Sequence, residues 1–324
     1  MILAGDIGGT KTLLGIFDGA PARPRAAFVR SYGTLDFDDL SVMIAEFLKE
    51  GETGPAAIDR ACFGVAGPVV DDTAQLTNVP WRVEARRVAG DFRFRGVSLL
   101  NDLEAMGYAV PVLRESEVHV LQEGEALRGG NIALIAAGTG MGQALLHNVD
   151  GRFVPSASEG GHADFAARTE REIVLVRELT ARYGRADVEH VISGRGFFNI
   201  HPVAHRDRPC LAGVDLSDLD APAVISAAAM ERRCPGCVET LDMFVEAYGA
   251  ESGNLALRTV SSGGVFIGGG IAPKILPALT TGTFMNAFRA KPPLDEMVAA
   301  MPVKVILNAQ AGLLGAAVFA ANGK

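Results

Sequence analysis

A short glycine motif occurs twice in this chain, once in each half, and its recurrence limits what the chain can fold into. The first copy is Asp6-Ile-Gly-Gly-Thr-Lys-Thr12. An apolar strand, Ile2-Leu-Ala-Gly5, precedes it, and a second, Leu13-Leu-Gly-Ile-Phe17, follows and is closed by Asp18-Gly19. The glycines therefore sit at the tip of a hairpin, not at the start of a helix. Gly8 and Gly9 are expected to reach φ values that other residues avoid and to bring backbone N–H groups close to a ligand. Thr10 and Lys11 add a hydroxyl and a positive charge, and Asp6, at a strand end, suits a hydrated Mg²⁺. The plain alternative for this copy alone is an ordinary glycine-rich β-turn.

The second copy, Ala136-Ala-Gly-Thr-Gly-Met-Gly142, follows the strand Asn131-Ile-Ala-Leu-Ile135. At a constant offset Gly8 falls on Gly140, Leu13 on Leu145, Asp18 on Asp150 and Gly19 on Gly151. This is an internal repeat of strand, glycine turn and strand. Two such turns facing each other offer two sets of N–H donors to one polyphosphate.

The chain is 324 residues long, enough for two domains with separate cores. Its net charge of −8 argues against a general nucleic-acid binder. No apolar run reaches the ~18 residues of a membrane span. The N-terminus enters a strand at once, so no signal peptide and no appended DNA-binding module are expected. Cys62, Cys210, Cys234 and Cys237 are too few for a disulfide scaffold, which points to a reducing cytoplasm.

Strands are expected at 26–32, 61–65, 73–77, 97–100, 265–268 and 303–307. Helices are expected at 38–49, 103–110, 169–183, 221–232, 238–260 and 309–321. Leu40, Ile44, Phe47 and Leu48 give the first helix one apolar face. Thr169 with Glu172 three residues on reads as a capping box, and Gly184 as the stop. Strands alternating with crossover helices place the chain in the α/β class.

Three stretches carry candidate chemistry. Asn101-Asp102 ends a strand, where α/β proteins bind ligands. Asp102 is placed to accept a proton from a hydroxyl attacking phosphorus, but either residue also suits a helix cap. Glu159-Gly-Gly-His162 sets a carboxylate and an imidazole on a glycine turn; it suits sugar hydroxyls or is a capped structural turn. Glu189, among Val188, Val191 and Ile192 at a short helix start, reads on its own as a solvated face residue.

Cys234-Pro-Gly-Cys237 with His201 and His205 has the residue types of a zinc site. Pro202 argues against both histidines on one regular helix, and Cys234–Cys237 reads instead as the opening of a long helix with Pro235 in its first turn. A dithiol redox pair lacks a thioredoxin-like frame. The only Gly-Lys pair is Gly323-Lys324, so there is no Walker loop, and there is no dinucleotide GxGxxG. His205-Arg-Asp207 spells a protein-kinase string without its companion motifs.

With these pieces in place the sequence resembles the bacterial ATP-dependent glucokinases of the proteobacterial type, within the actin-like sugar kinase superfamily. The resemblance runs from Gly5-Asp-Ile-Gly-Gly-Thr10 to Gly312-Leu-Leu-Gly315. Its most specific pieces are Asn101-Asp102, Gly138-Thr-Gly-Met-Gly142, Glu159-Gly-Gly-His-Ala-Asp-Phe165, Glu189 with Ile192-Ser-Gly194, and Gly263-Gly-Val-Phe-Ile-Gly-Gly-Gly-Ile-Ala-Pro273.

The resemblance implies a two-domain actin-like (ribonuclease H-like) α/β fold with a cleft between domains. The smaller domain would hold 1–110 plus about 309–324, the larger 111–308. It implies ATP-dependent phosphorylation of glucose to glucose 6-phosphate, with Asp102 as the base on the 6-hydroxyl. Asn101, Glu159, His162 and Glu189 would hold the other sugar hydroxyls. Gly8, Gly9, Thr10, Lys11, Gly138, Thr139 and Gly140 would serve the ATP phosphates, Gly269 and Gly270 the adenosine, and Asp6 the Mg²⁺ through water. It also implies a cytoplasmic homodimer whose partners are glucose and ATP, not nucleic acid or membrane.

Two departures stand out. Lys11 and Thr12 give the first loop the wording of the wider repressor–kinase relatives, yet the cysteine-rich zinc motif of those relatives is absent. Cys234–Cys237 matches a CxxC found in some glucokinases, with no metal implied. Arg195, between Gly194 and Gly196, lies beside the expected sugar loop and bears on specificity. The rival readings are a kinase for another hexose or amino sugar, and an actin-like ATP-dependent assembly or switch protein.

Overall fold

The structure is a computed structural model, and it describes residues 1–76, 79–206 and 208–322. Thr77 and Asn78, at the end of the strand expected at 73–77, lie outside the described residues, as do Asp207 of the kinase-like string and the Gly323-Lys324 pair. The chain divides into two compact units: Met1–Arg114, Arg152–Ala157 and Asn308–Lys324 in one, Glu115–Gly151 and Ser158–Leu307 in the other.

The first unit opens with β1 (Ile2–Ile7), β2 (Lys11–Phe17), β3 (Ala26–Gly33) and α1 (Leu40–Glu50). There follow β4 (Arg60–Val65), the short β5 (Val69–Val70), β6 (Thr73–Gln75) and β7 (Arg82–Glu84), then α2 (Ala85–Phe92), β8 (Gly96–Asn101) and α3 (Asp102–Ala109). The main sheet runs β3-β2-β1-β4-β8, and β5-β6-β7 form a small second sheet. β1, β4 and β8 are parallel, so Ile7, Val65 and Asn101 stand in one register row.

The second unit contributes β9 (Val118–Gln122), β10 (Ile132–Ala137), β11 (Met141–Val149), then β12 (Arg152–Ser158), most of which groups with the first unit. After it come α4 (Glu170–Tyr183), α5 (Gly194–His205), α6 (Ala221–Met230), α7 (Pro235–Thr259), β13 (Gly264–Gly268), α8 (Leu276–Leu279), α9 (Thr283–Arg289), α10 (Asp295–Ala299) and β14 (Val303–Ile306). Within this unit the strands lie in the order β11-β10-β13-β14-β9, with β10, β13 and β14 parallel. The last helix, α11 (Ala311–Ala321), belongs to the first unit and packs on α3, β1 and β4.

Alternation along β1 sorts its side chains between two cores. Leu3 and Ile7 join Met43, Ile44 and Phe47 of α1. Ile2 and Ala4 join Leu313, Ala316 and Ala317 of α11. Asp6 therefore falls on the α11 face. In the second unit Ala133, Ile135 and Ala137 pack with α5, α7 and α9, whose Phe197, Phe244, Tyr248, Phe284 and Phe288 are fully or almost fully buried.

The local signals act as their chemistry requires. Asp39 caps α1 by accepting from Val42 N at 2.9 Å. Thr169 and Glu172 form the capping box of α4, and Gly184 ends that helix in the left-handed region at φ 81°. Pro235 occupies the first turn of α7.

Three expectations are corrected. The repeat does not keep one offset: Ile7 pairs with Thr12 across the first turn, but Ala137 pairs with Met141 across the second. The second turn is one residue shorter, so Gly8 corresponds to Gly138 and not to Gly140, while β11 runs on beyond its paired segment. Glu189 lies in a run of turns before α5, not in a helix start. And α5 continues through Pro202, so His201 and His205 do share one helix.

Candidate active site

In the first unit the β1–β2 turn is held by Thr12 at the end of the motif and by Thr34 from outside it. Gly8 N donates to Lys11 O at 3.1 Å. Thr34 Oγ1 donates to Gly8 O at 2.8 Å and lies 2.9 Å from Thr12 Oγ1. Gly8 and Gly9 are not in the left-handed region, contrary to expectation. Gly8 eases a close approach: a Cβ there would lie 3.0 Å from the Lys11 carbonyl oxygen, a tight contact that would make the turn give slightly. Thr10 and Lys11 are exposed.

The same end of the sheet carries Asp6, Asn101 and Asp102. Asn101 is the N-cap of α3, accepting from Leu103 N at 3.0 Å and donating to Gly67 O at 3.3 Å. Asp102, in the first helical turn, also accepts from Leu103 N, at 2.8 Å. So the capping role belongs mainly to Asn101, and Asp102 stays half-buried with its carboxylate oriented by the same N–H. Asp6 is raised to about 6, first by burial, then by the neighbouring Asp102 charge, with Lys11 opposing. Two acidic groups thus share one strand end, a donor set that fits a hard divalent cation. A Cβ at Gly312 would lie 2.7 Å from Asp6 Oδ2, so a larger residue on α11 would push the Asp6 carboxylate out of place.

The second unit gathers the remaining expected residues at the carboxyl ends of β10 and β13. Gly138 O accepts from Gly194 N at 2.8 Å, which ties the second turn to the start of α5. Glu189 reaches that turn: its Oε2 accepts from Met141 N at 2.9 Å. A Cβ on Gly140 would lie 2.7 Å from the same oxygen. Glu189 N in turn donates to Gly161 O at 2.8 Å, within the turn that carries Glu159 and His162. Glu159 and His162 are both exposed. His162 Nδ1 faces Asp187 Oδ2 at 3.4 Å. Gly269 takes φ 83° against the Ala137 backbone and directs the turn that continues through exposed Gly270. Thr139 is exposed at the tip of the second hairpin, and Arg195 is exposed in the first turn of α5.

With this geometry in hand, comparison with known proteins decides the family. The Glucokinase family profile matches residues 3–323. The chain belongs to the glucokinase family. It is 38% identical over 346 residues to a glucokinase of Synechocystis sp., covering 99% of this chain and 98% of that one. A crystal structure of glucokinase from an Antarctic psychrotroph matches with TM-score 0.85 and 30% identity over 99% of both chains. A ROK family glucokinase from Streptomyces griseus, solved with glucose and AMPPNP, matches with TM-score 0.67 and 21% identity over 99% of both chains, a likeness of fold. This glucokinase-family chain accordingly has the two-domain actin-like fold and is a sugar kinase, a phosphotransferase.

Sequence reasoning missed four supporting residues in this glucokinase-family chain. Thr12 and Thr34 brace the first turn. Tyr248, fully buried on α7, accepts from Ala137 N and donates to Gly268 O, both at 3.3 Å, so one hydroxyl joins the ends of β10 and β13. Asp187 holds His162 and also His190, whose N donates to it at 2.8 Å. Asp187 stands two residues before Glu189, a spacing that offered a local signal; Thr34 and Tyr248 are distant in sequence and offered none.

Proposed function

We propose that this chain transfers the γ-phosphoryl group of ATP to the 6-hydroxyl of D-glucose, with Asp102 as the general base. Membership of the glucokinase family supports the overall reaction. The observation that supports the base is the position of Asp102, half-buried on the first turn of α3 with its carboxylate oriented by Leu103 N–H. Asp102 takes the hydroxyl proton as the sugar oxygen forms its bond to the γ-phosphorus. The bond from that phosphorus to its bridging oxygen breaks, and ADP leaves.

Asn101, Glu159, His162 and Glu189 hold the remaining hydroxyls. His162, with Nδ1 turned to Asp187, offers Nε2 to the sugar. Glu189 uses one oxygen on Met141 N and offers the other. Gly9, Thr10 and Lys11, with Thr139 and Gly140, supply N–H, hydroxyl and ammonium groups to the phosphates, while Gly8 and Gly138, whose N–H groups donate to Lys11 O and Gly140 O, shape the two loops around them. Gly269 and Gly270 serve the nucleoside. Asp6 holds Mg²⁺ through water, and the ion when bound offsets charge on the transferring group.

The proposal extends to a homodimer, supported by the family resemblance, and to a cytoplasmic location, supported by four cysteines that are all free. Among the described residues no helix is long and apolar enough to cross a membrane. The deciding assay follows ADP release from Mg-ATP with and without glucose, with product analysis. Release that requires glucose and yields glucose 6-phosphate is expected. Release indifferent to glucose would sink the reading and favour the assembly ATPase; activity confined to another sugar in a panel would replace glucose. Light scattering checks the dimer.

A further inference from the structure

Away from the residues assigned to catalysis, the second unit buries a cluster of imidazoles and thiols. Candidate ligand atoms of His201, His205, Cys210 and Cys237 all lie within 4.8 Å of one another. From these residues we propose a structural zinc site, four-coordinate through two nitrogens and two sulfurs, that ties the end of α5 to the start of α7.

The geometry of the two histidines fits an ion better than a plain core. His201 and His205 stand one helical turn apart on α5 and present their rings to the same side, with centroids 3.8 Å apart. His205 Nδ1 lies 2.9 Å from the His201 carbonyl oxygen, which can only accept, so Nδ1 carries the proton and Nε2 keeps its lone pair. That is the arrangement by which a ligating histidine is oriented through its other ring nitrogen. His201 is 6% exposed, and its Nε2 is buried with no hydrogen-bond partner. A buried polar atom left in that state is costly, and coordination would satisfy it.

The sulfur geometry agrees. Cys210 Sγ and Cys237 Sγ are 3.8 Å apart. Two thiolates each about 2.3 Å from a zinc ion at the tetrahedral angle stand about 3.8 Å apart. The Cys-Pro-Gly-Cys run also has a local logic. Pro235 starts α7, and Gly236 leaves room for the His205 ring, whose Nε2 a Cβ at that position would strike. Cys234, 3.4 Å from His205 Nε2 and 3.9 Å from Cys210 Sγ, borders the set as a neighbouring thiol. A closed set of four protein ligands leaves no open position, which assigns the ion to structure and not to catalysis. The same α7 carries Tyr248, so the tie would steady the helix that holds the ends of β10 and β13.

The test uses full-length, tag-free protein purified under reducing conditions. Metal analysis is expected to find about one zinc per chain, with Cys237→Ser and His201→Ala each losing most of it and Cys62→Ser retaining it. Cobalt added to metal-stripped wild type is expected to give thiolate charge-transfer and tetrahedral ligand-field bands, a readout that needs no variant to fold. Wild-type protein that takes up neither zinc nor cobalt with all four thiols reduced overturns the proposal. So does cobalt binding without the thiolate band, or a Cys210–Cys237 disulfide recovered from protein handled without reductant.

Discussion

The two units hold the same hairpin, but their acidic groups live in opposite circumstances. In the first unit burial, and after it the neighbouring Asp102 charge, raise the cost of ionising Asp6 and keep it protonated up to about 6. In the second, Glu189 accepts a backbone N–H from the turn beside it, and His162 is steadied by buried Asp187. A crowded pair of carboxylates suits proton transfer and cation binding; hydrogen-bonded groups on fixed turns suit recognition. The contrast predicts that removing an acidic group of the first unit falls on kcat and removing one of the second on the KM for glucose.

The largest effect belongs to Asp102→Asn. It keeps the shape and removes the base, so kcat is expected to drop about 1,000-fold with the KM for glucose little changed. Steady-state kinetics check this, and a variant with wild-type kcat would break the assignment of the base. Next comes Glu189→Ala. Loss of a charged acceptor is expected to raise the KM for glucose about 10- to 100-fold while kcat moves about threefold or less. A kcat loss as large as that of Asp102→Asn would erase the division between the units. A smaller effect follows from Thr34→Val, which deletes the donor to Gly8 O and leaves Thr12 Oγ1 without that partner. It is expected to cost about 1–2 kcal/mol in urea unfolding and to raise the KM for ATP several-fold. Unchanged stability with unchanged KM would show that the first turn holds its shape without this brace.

Much of this contrast was legible in the sequence because it is written locally. Short continuous apolar runs gave β1 and β10, the capping box gave the start of α4, and adjacent Asn101 and Asp102 could be read as a strand end entering a helix. The resemblance supplied Glu189, which no local pattern distinguishes from a surface residue. The rest was illegible because it depends on distant chain segments. The left-handed φ expected of Gly8 and Gly9 was not needed: two threonines, one of them more than twenty residues away, hold the turn, and the glycine at position 8 only eases a tight approach to the Lys11 carbonyl. The constant offset between the repeats failed because the second turn is one residue shorter while β11 runs on past Leu146, its last residue paired with β10, to Val149. Pro202 misled because the chain tolerates it inside α5, and only the fold brings Cys210 to the two histidines.

The finest probe of the contrast is the charge on Asp6 itself. In the unfolded chain this carboxyl loses its proton near its ordinary value of 3.8, whereas in the folded chain it keeps it up to about 6. Between those values the folded state binds more protons, so this group's contribution to stability falls as pH rises through the window and stays low above it. A two-unit shift corresponds to at most about 3 kcal/mol, which solvent screening at a half-buried site reduces to about 1. Asp6→Asn cannot ionise, so it is expected to gain about 1 kcal/mol relative to wild type between pH 4 and pH 7. Urea unfolding of both proteins without added Mg²⁺ at the two pH values measures it. Asp102→Asn removes the second cause of the shift but not the first. In that background the gain should shrink without vanishing. A gain that stays full would show that burial alone sets the Asp6 shift, and the two acids of the first unit would then be no more coupled than Glu189 and His162 are in the second.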